Sequence, residues 1–433
     1  TNNVTFGGDV ESAYQNFEIT VDPPFSTSGK VWFKGDVNID NGDLIVHSAK
    51  EFEITGNAEI IGALQQTVGA SESIFRAAVQ ANTIDLSAQQ RVRFLSTVTL
   101  LEGDMELVSD EIDFEGGANT IISAQDVDGN GISRLFLRPT GEGVSMDIGD
   151  PVGGVGTFEF SSVDIAALSD GFAQITIGYH PETGATSTNA VRIGGASFLD
   201  ALAIYGGSFL VNGSFSARTS MLVEADTGVI DIDGTQVRVS NEQVDNVWQS
   251  SDMTLFAHQG DILTANGASL LIDNEDPSDT AEGSTINLIA TLGSVINQPN
   301  SFGFIEARDL NVEAGQLITV LTDVETVSAR STDEGDIQID ELNELHVLRG
   351  ITANGQIQVS TGGDTIIDLL ESQTDALDNT IGVEVFGGNL HVDRMLAGTL
   401  GSVQLDVEGQ ITGFSQTDRS TLLDLPRLVM SGG

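Results

Sequence analysis

Asp126-x-Asp128-x-Asn130-Gly131 is the stretch whose residue types and spacing best suit a binding chemistry. Carboxylate and amide oxygens at alternate positions, followed by a Gly that permits a sharp bend, match the first half of a calcium loop. The second half fails: the twelfth position is Leu137, where a bidentate Glu would sit. Calcium held by Asp126, Asp128 and Asn130 and a plain Asx-rich turn both stand as readings. No motif requires a cofactor. A second acidic stretch, residues 273–279, reads as a solvated insertion or a loose cation site.

Other chemistries have less behind them. His47, His180, His258, His346 and His391 are far apart, so they are expected as isolated surface or turn residues. Gly-x-Ser-x-Gly, His-Glu-x-x-His and a phosphate-binding Gly-rich loop are all absent. The Gly pairs at 116–117, 153–154 and 362–363 read as turns. Enzymes that cleave polysaccharides use carboxylate pairs helped by Arg, Lys or His. The Asn-Thr-Asp, Asp-Asp, Gly-His-Gly and Arg-Ile-Lys patterns of a polygalacturonase-like site do not occur. Lys is confined to Lys30, Lys34 and Lys50, so a lyase base would have to be one of the scattered Arg residues. The expectation is that the protein is not an enzyme, with a polysaccharide lyase or hydrolase as the third reading.

Composition narrows the partners. The 433 residues carry 64 Asp+Glu against 17 Lys+Arg, a formal net charge of -47. Nucleic-acid backbones need basic patches, and anionic headgroups repel such a surface, so neither nucleic acid nor membrane insertion is expected. Absent Cys removes disulfides, Cys-ligated zinc, iron–sulfur clusters and thiol nucleophiles together. A hydrophobic content of 40% is enough for a large core, which sets the chain apart from disordered sequences. No run of 18 apolar residues occurs, and residues 1–25 lack a basic start followed by an apolar stretch. The sequence therefore reads as cytoplasmic, already processed, or an internal piece of something longer.

The elements that must position any site are short strands. Val37-Asn38-Ile39, Ile337-Gln338-Ile339 and Leu405-Asp406-Val407 alternate apolar and polar residues with the two-residue period of half-buried strands. Residues 63–81 and 369–377 are the only helix candidates. Gly315, Gly335 and Gly355 are spaced by 20, and the same frame follows each. That frame aligns Leu317 with Ile337 and Ile357, and Thr319 with Ile339 and Val359, around a mostly polar position at Ile318, Gln338 and Gln358. A longer repeat occupies residues 1–150. Val4-Thr5-Phe6 matches Val31-Trp32-Phe33, and Phe33 to Phe94 and Gly42-Asp43 to Gly103-Asp104 are both 61 residues apart. Sixty-one is close to three coils of 20. This predicts an all-β fold, a right-handed parallel β-helix (β-solenoid) of about 20 residues per coil. Residues 1–433 are expected to form one elongated solenoid, on the order of 100 Å long if every residue coils. Loop insertions are expected at 125–131, 179–189 and 274–282.

Several of these segments resemble a known kind of protein. Gly171-Phe172-Ala173-Gln174-Ile175-Thr176-Ile177-Gly178 followed by Ala190-Val191-Arg192-Ile193-Gly194-Gly195 is similar to repeats of giant bacterial surface proteins of the planctomycete type, as is Val-x-Phe-x-Gly-Asp-Val. Ala353-Asn354-Gly355-Gln356-Ile357-Gln358-Val359 resembles the coil repeat of filamentous-haemagglutinin-like adhesins. The resemblance is diffuse but covers most of the chain, and the family's N-terminal secretion segment is not visible. It implies a right-handed parallel β-helix, an extracellular or cell-surface location, and adhesion or fibre building.

The excess negative charge fits work in an ionic medium outside the cell, where salt screens repulsion. A solenoid end exposes strand edges and apolar core. No amphipathic helix precedes Val4, and residues 422–433 offer only a short apolar stopper. The ends are therefore expected to meet another copy head to tail, or more chain. The expected function is a non-enzymatic structural segment of a bacterial surface fibre or filament. The alternative is an adhesin whose loops contact surface glycans or another cell.

Overall fold

The computed structural model describes residues 3–21, 29–69, 71–127, 131–149, 157–179, 186–240, 243–244, 247–248, 250–273, 284–297, 303–374, 376, 379–398, 400–413 and 428–431. It is a parallel β-solenoid built almost wholly from short strands. The chain divides into two compact units, Thr1–Gly207 and Ser208–Gly433. Each is taken by itself.

In Thr1–Gly207 every coil supplies strands to up to three parallel sheets. The first sheet stacks Val4–Phe6, Lys30–Phe33, Glu51–Ile54, Glu72–Phe75, Arg91–Phe94 and Ile112–Phe114 in that order. The second runs from Val10–Ser12 through Val37–Ile39 into Ala58–Gly69 and Val79–Ala88, then Val98–Leu100. The third stacks Phe17–Thr20 and Leu44–Ser48 on the far halves of those two long strands. It continues through Met105–Val108, Arg134–Arg138, Gln174–Ile177 and Leu202–Gly206. The repeat read from sequence is real here. Val4 pairs with Val31 and Phe6 with Phe33. Phe33 lies on Ile54, Ile54 on Phe75 and Phe75 on Phe94, so the 61-residue interval is three coils.

Alternation puts one side of each strand in the core, and equivalent residues then stack. The result is a column of phenylalanines. Phe6 and Phe33 stack at 4.6 Å between ring centroids, and Phe75 and Phe94 at 4.7 Å. Phe52 meets Phe75 edge-on at 5.4 Å, and Phe114 follows Phe94 at 6.0 Å. Phe160 meets Phe114 edge-on. The first sheet stops at Ile112–Phe114, where the short helix Ser162–Ala167 covers it. Asp164 of that helix accepts the Phe114 amide at 2.7 Å, and Ser161 closes a capping box with Asp164. An edge amide is thereby satisfied without another strand.

In Ser208–Gly433 the same plan recurs. One stack runs from Ser208–Val211 through Ile230–Asp233, Ile262–Ala265, Val295–Asn297 and the start of Ile318–Glu334. Ile337–Glu341, Ile357–Thr361, Thr380–Val385 and Ser402–Val407 complete it, with Leu428–Ser431 on the last. Two expectations need correction. Ile337 and Ile357 are paired, but Ile337 lies on Ile318, not on Leu317. Ile318 is fully buried while Leu317 is half-exposed. The Gly column slips in step, with Gly335 packed on Gln316. The coil from Ile318 to Ile337 is thus a residue shorter than the next, and the period of 2 moves the apolar face accordingly. Among the described residues neither helix candidate is helical: 63–81 is covered largely by Ala58–Gly69, Glu72–Phe75 and Val79–Ala88, and 369–377 contains Leu370–Ser372. Leu64, Ile74, Phe75, Val79, Ala81 and Leu370 are core residues of strands or of the corners between them, which blurs the two-residue pattern.

The corners explain the recurrent Gly-Asp. A Cβ on Gly56 would lie 2.4 Å from the Gly35 carbonyl oxygen, and one on Gly293 2.2 Å from that of Gly260. Only Gly lets the coils approach this closely. The following Asp or Asn then reaches along the stack. Asp9 accepts the Asp36 amide, Asp36 the Asn57 amide, and Asp43 the Ala63 amide. Asp261 takes Ser294 at 2.7 Å, Asp336 takes Gln356, Asp364 takes Asn389, and Asn389 takes Gln410. Each of these corner amides has a side-chain acceptor one coil away.

Two predictions follow from these contacts. Phe94→Ala should cost about 3–5 kcal/mol, and Phe94→Leu clearly less, because the ring sits fully buried between Phe75 and Phe114. Urea denaturation checks this. Asp261→Ala should cost about 1–2 kcal/mol and speed hydrogen exchange at the buried Ser294 amide, while Asp261→Asn, which keeps an oxygen there, should change little. Amide exchange measured by NMR or mass spectrometry reads both variants.

Candidate functional site

Of the sequence-predicted calcium ligands, Asp126 is exposed, while Asp128 and Asn130 lie outside the described residues. Gln125 and Gly131 form an antiparallel bridge. Residues 180–185, with His180, and 274–283 are likewise outside the description, as are 422–427 and 432–433.

The histidines correct an expectation. The four described ones each contact a carboxylate rather than standing alone. His47 Nε2 lies 3.0 Å from Glu18, His258 Nε2 2.7 Å from Glu224, and His346 Nε2 2.9 Å from Asp368. His391 Nε2 lies 3.3 Å from Asp393. The first three contacts are between coils. A constant interval of 20 does not reveal them, because His258 sits where Asp226 sits one coil earlier, 32 residues back.

The outer face of the first sheet carries rows of ion pairs. Glu53 contacts Lys30 and also accepts from Arg76 Nε at 2.5 Å. Burial opposes its charge, yet Lys30 and Arg76 together hold its pKa below the ordinary Glu range. Arg91 is bidentate to Glu111, and Arg93 bonds Glu115. Asp113 lies between them, 3.3 Å from Arg91 and 3.7 Å from Arg93. Its pKa is nevertheless pushed up to about 6 by burial and by Glu111, Asp164 and Glu115, against the pull of Arg91. Lys30 and Lys34 lie over the Trp32 ring at 4.7 and 4.2 Å. Charged rows of this kind hold neighbouring coils in register.

Ser208–Gly433 holds a groove of about 750 Å³ that offers more. Its floor is a ladder of outward residues: Glu306 is paired with Asp323, and Asn343 donates from Nδ2 to Asp323 at 2.9 Å. Asp273, bound to Arg238 at 2.6 Å, and Arg308, 3.5 Å from Glu325, form the sides. Beneath it, buried Glu341 accepts from Thr322 Oγ1 and from the amides of Val324 and Asn343. That contact fixes two segments of the floor. Burial raises the Glu306 pKa, and Asp323 and Asp273 raise it further against Arg238. Ser284 Oγ, in the groove wall, is buried with no hydrogen-bond partner among the described residues. Carboxyl groups, an amide and a guanidinium set side by side can bond a polyhydroxylated ligand from several sides.

No motif or repeat in the sequence points to this groove. Glu306, Asp323 and Asn343 become neighbours only through coils of unequal length, so no fixed spacing links them. Comparison with family models, curated proteins and solved structures returned no match.

Asp113 supplies a pH test. Its folded pKa lies above the unfolded value near 3.8, so the folded state binds the proton more tightly. This group therefore favours folding fully at low pH, and that benefit is lost as pH rises from about 4 through about 6. Asp113→Asn should stabilise the protein by about 1 kcal/mol at pH 7.5, a value reduced for the water that reaches the carboxyl. The gain should vanish at pH 4. Thermal unfolding of both proteins across that range checks the sign.

Proposed function

We propose that this chain is a non-enzymatic structural segment of an extracellular bacterial fibre or filament. Its work is mechanical: ladders of backbone hydrogen bonds and stacked apolar side chains resist bending. The observation that carries this reading is the corner row of Gly and Asx, in which side chains such as Asp36, Asp261, Asp336 and Asp364 bond the amides of adjacent coils. Such residues serve the continuity of the stack. The similarity of the repeats to filamentous-haemagglutinin-like surface proteins points the same way. So does the formal charge of -47, which keeps neighbouring fibres apart and calls for an ionic medium, calcium included. Further coils, from a longer chain or from a second copy docked head to tail, would extend the same hydrogen-bond ladders.

The groove at Glu306, Asp323 and Asn343 favours a second reading, an adhesin that holds a surface glycan. Two measurements separate the readings. Electron microscopy of the purified chain in high salt with calcium should show filaments, and uniform single particles at high concentration would count against the structural role. A glycan array should be blank for the structural segment. A glycan retained by the native chain and lost in Glu306→Gln would establish the adhesin. Polysaccharide cleavage abolished by Glu306→Gln would overturn both.

A further inference from the structure

We propose that Glu224, Asp226 and His258 form a binding site for a zinc-like transition-metal ion. The site stands whether or not the structural reading holds. Glu224 is in Ser220–Ala225, and His258 directly follows Asp252–Ala257. Those strands are paired with Glu224 opposite Phe256 and Ala225 opposite Ala257. Asp226 follows Ala225 as His258 follows Ala257, so the two occupy the same rung of consecutive coils. One donor atom from each of Glu224, Asp226 and His258 lies within 4.8 Å of the others.

Convergence alone would be weak in so acidic a chain. Here the imidazole is also held from three sides. Its backbone amide donates to Ala225 at 2.9 Å, which fixes the residue against the coil before. Its ring lies 4.1 Å from the Phe256 ring, tilted by 39°. Its Nε2 is 2.7 Å from Glu224 Oε1, and the Glu224 side chain is only 12% exposed. Ala225 and Ala257, beneath the site, are fully buried. Glu224 lies within its strand, and Asp226 and His258 each sit one residue beyond a fully buried alanine at a strand end. All three remain partly exposed, which leaves solvent positions to complete the coordination.

Donor chemistry selects the ion. One imidazole and two carboxylates suit zinc and its transition-metal neighbours, whereas calcium takes oxygen donors and makes no use of an imidazole. Surface carboxylates elsewhere in the chain will bind cations weakly and without preference. The dependence on His258 is what distinguishes the site.

Titration of the EDTA-treated full chain with zinc chloride, followed by calorimetry, tests this. The native chain should bind one equivalent more tightly than the carboxylate background, and His258→Thr should lose that equivalent. Thr already occupies the corresponding position of the next coil, as Thr291 after Ala290, so this variant is compatible with the rung. Circular dichroism and thermal unfolding confirm that it is folded. Glu224→Gln should weaken binding by about tenfold or more. Calcium chloride should not tell the three proteins apart. Equal zinc binding by the native chain and His258→Thr would overturn the site. Loss in His258→Thr with full retention in Glu224→Gln would also overturn it, leaving a lone surface histidine.

Discussion

The structure depends on parallel pairing between equivalent residues of successive coils. Side chains alternate across a strand, so a slip of one residue would turn a whole strand's apolar set outward. Each coil must therefore arrive at its strand in phase with the one below. The corner contacts enforce that phase. Gly56 fits over Gly35 only without a Cβ, and Asp36 then bonds Asn57. Gly293 over Gly260, with Asp261 on Ser294, repeats the device in the second unit. The core columns, from Phe33 to Phe114 in one unit and from Ile318 to Ile381 in the other, are consequences of phase being kept.

The same constraint reshapes the meaning of the charge. A formal value of -47 suggests a surface built mainly to repel. Part of that acidity is internal to the architecture. Asp9, Asp36, Asp43, Asp261, Asp336 and Asp364 act as acceptors for corner amides, and Asp164 closes a sheet edge. The cations Lys30, Arg76, Arg91 and Arg93 are gathered on the first sheet, where stacking would otherwise place carboxylate on carboxylate. Asp113 shows the limit of that compensation: two guanidiniums nearby do not offset its burial and its acidic neighbours.

Coil length is free where register is not. Ile337 follows Ile318 by 19 residues, and Val295 follows Ile262 by 33, yet both pairs stack. That freedom creates surface features. The groove of Glu306, Asp323 and Asn343 and the contact of His258 with Glu224 arise between coils of different lengths.

Much of the fold was legible locally. Alternation in Val37-Asn38-Ile39 and the match of Val4-Thr5-Phe6 to Val31-Trp32-Phe33 are properties of short segments, and the solenoid follows from them. The 61-residue interval survived because the lengths of three coils happened to average close to 20. What failed was phase. Leu317 looked equivalent to Ile337, but one shorter coil gave that place to Ile318. The same blindness hid the groove and made the histidines look solitary. Apolar patterning is written residue by residue, so the chain alone determines strand, face and turn. Which outward residue meets which depends on the accumulated lengths of the turns between them, and only the folded stack decides that.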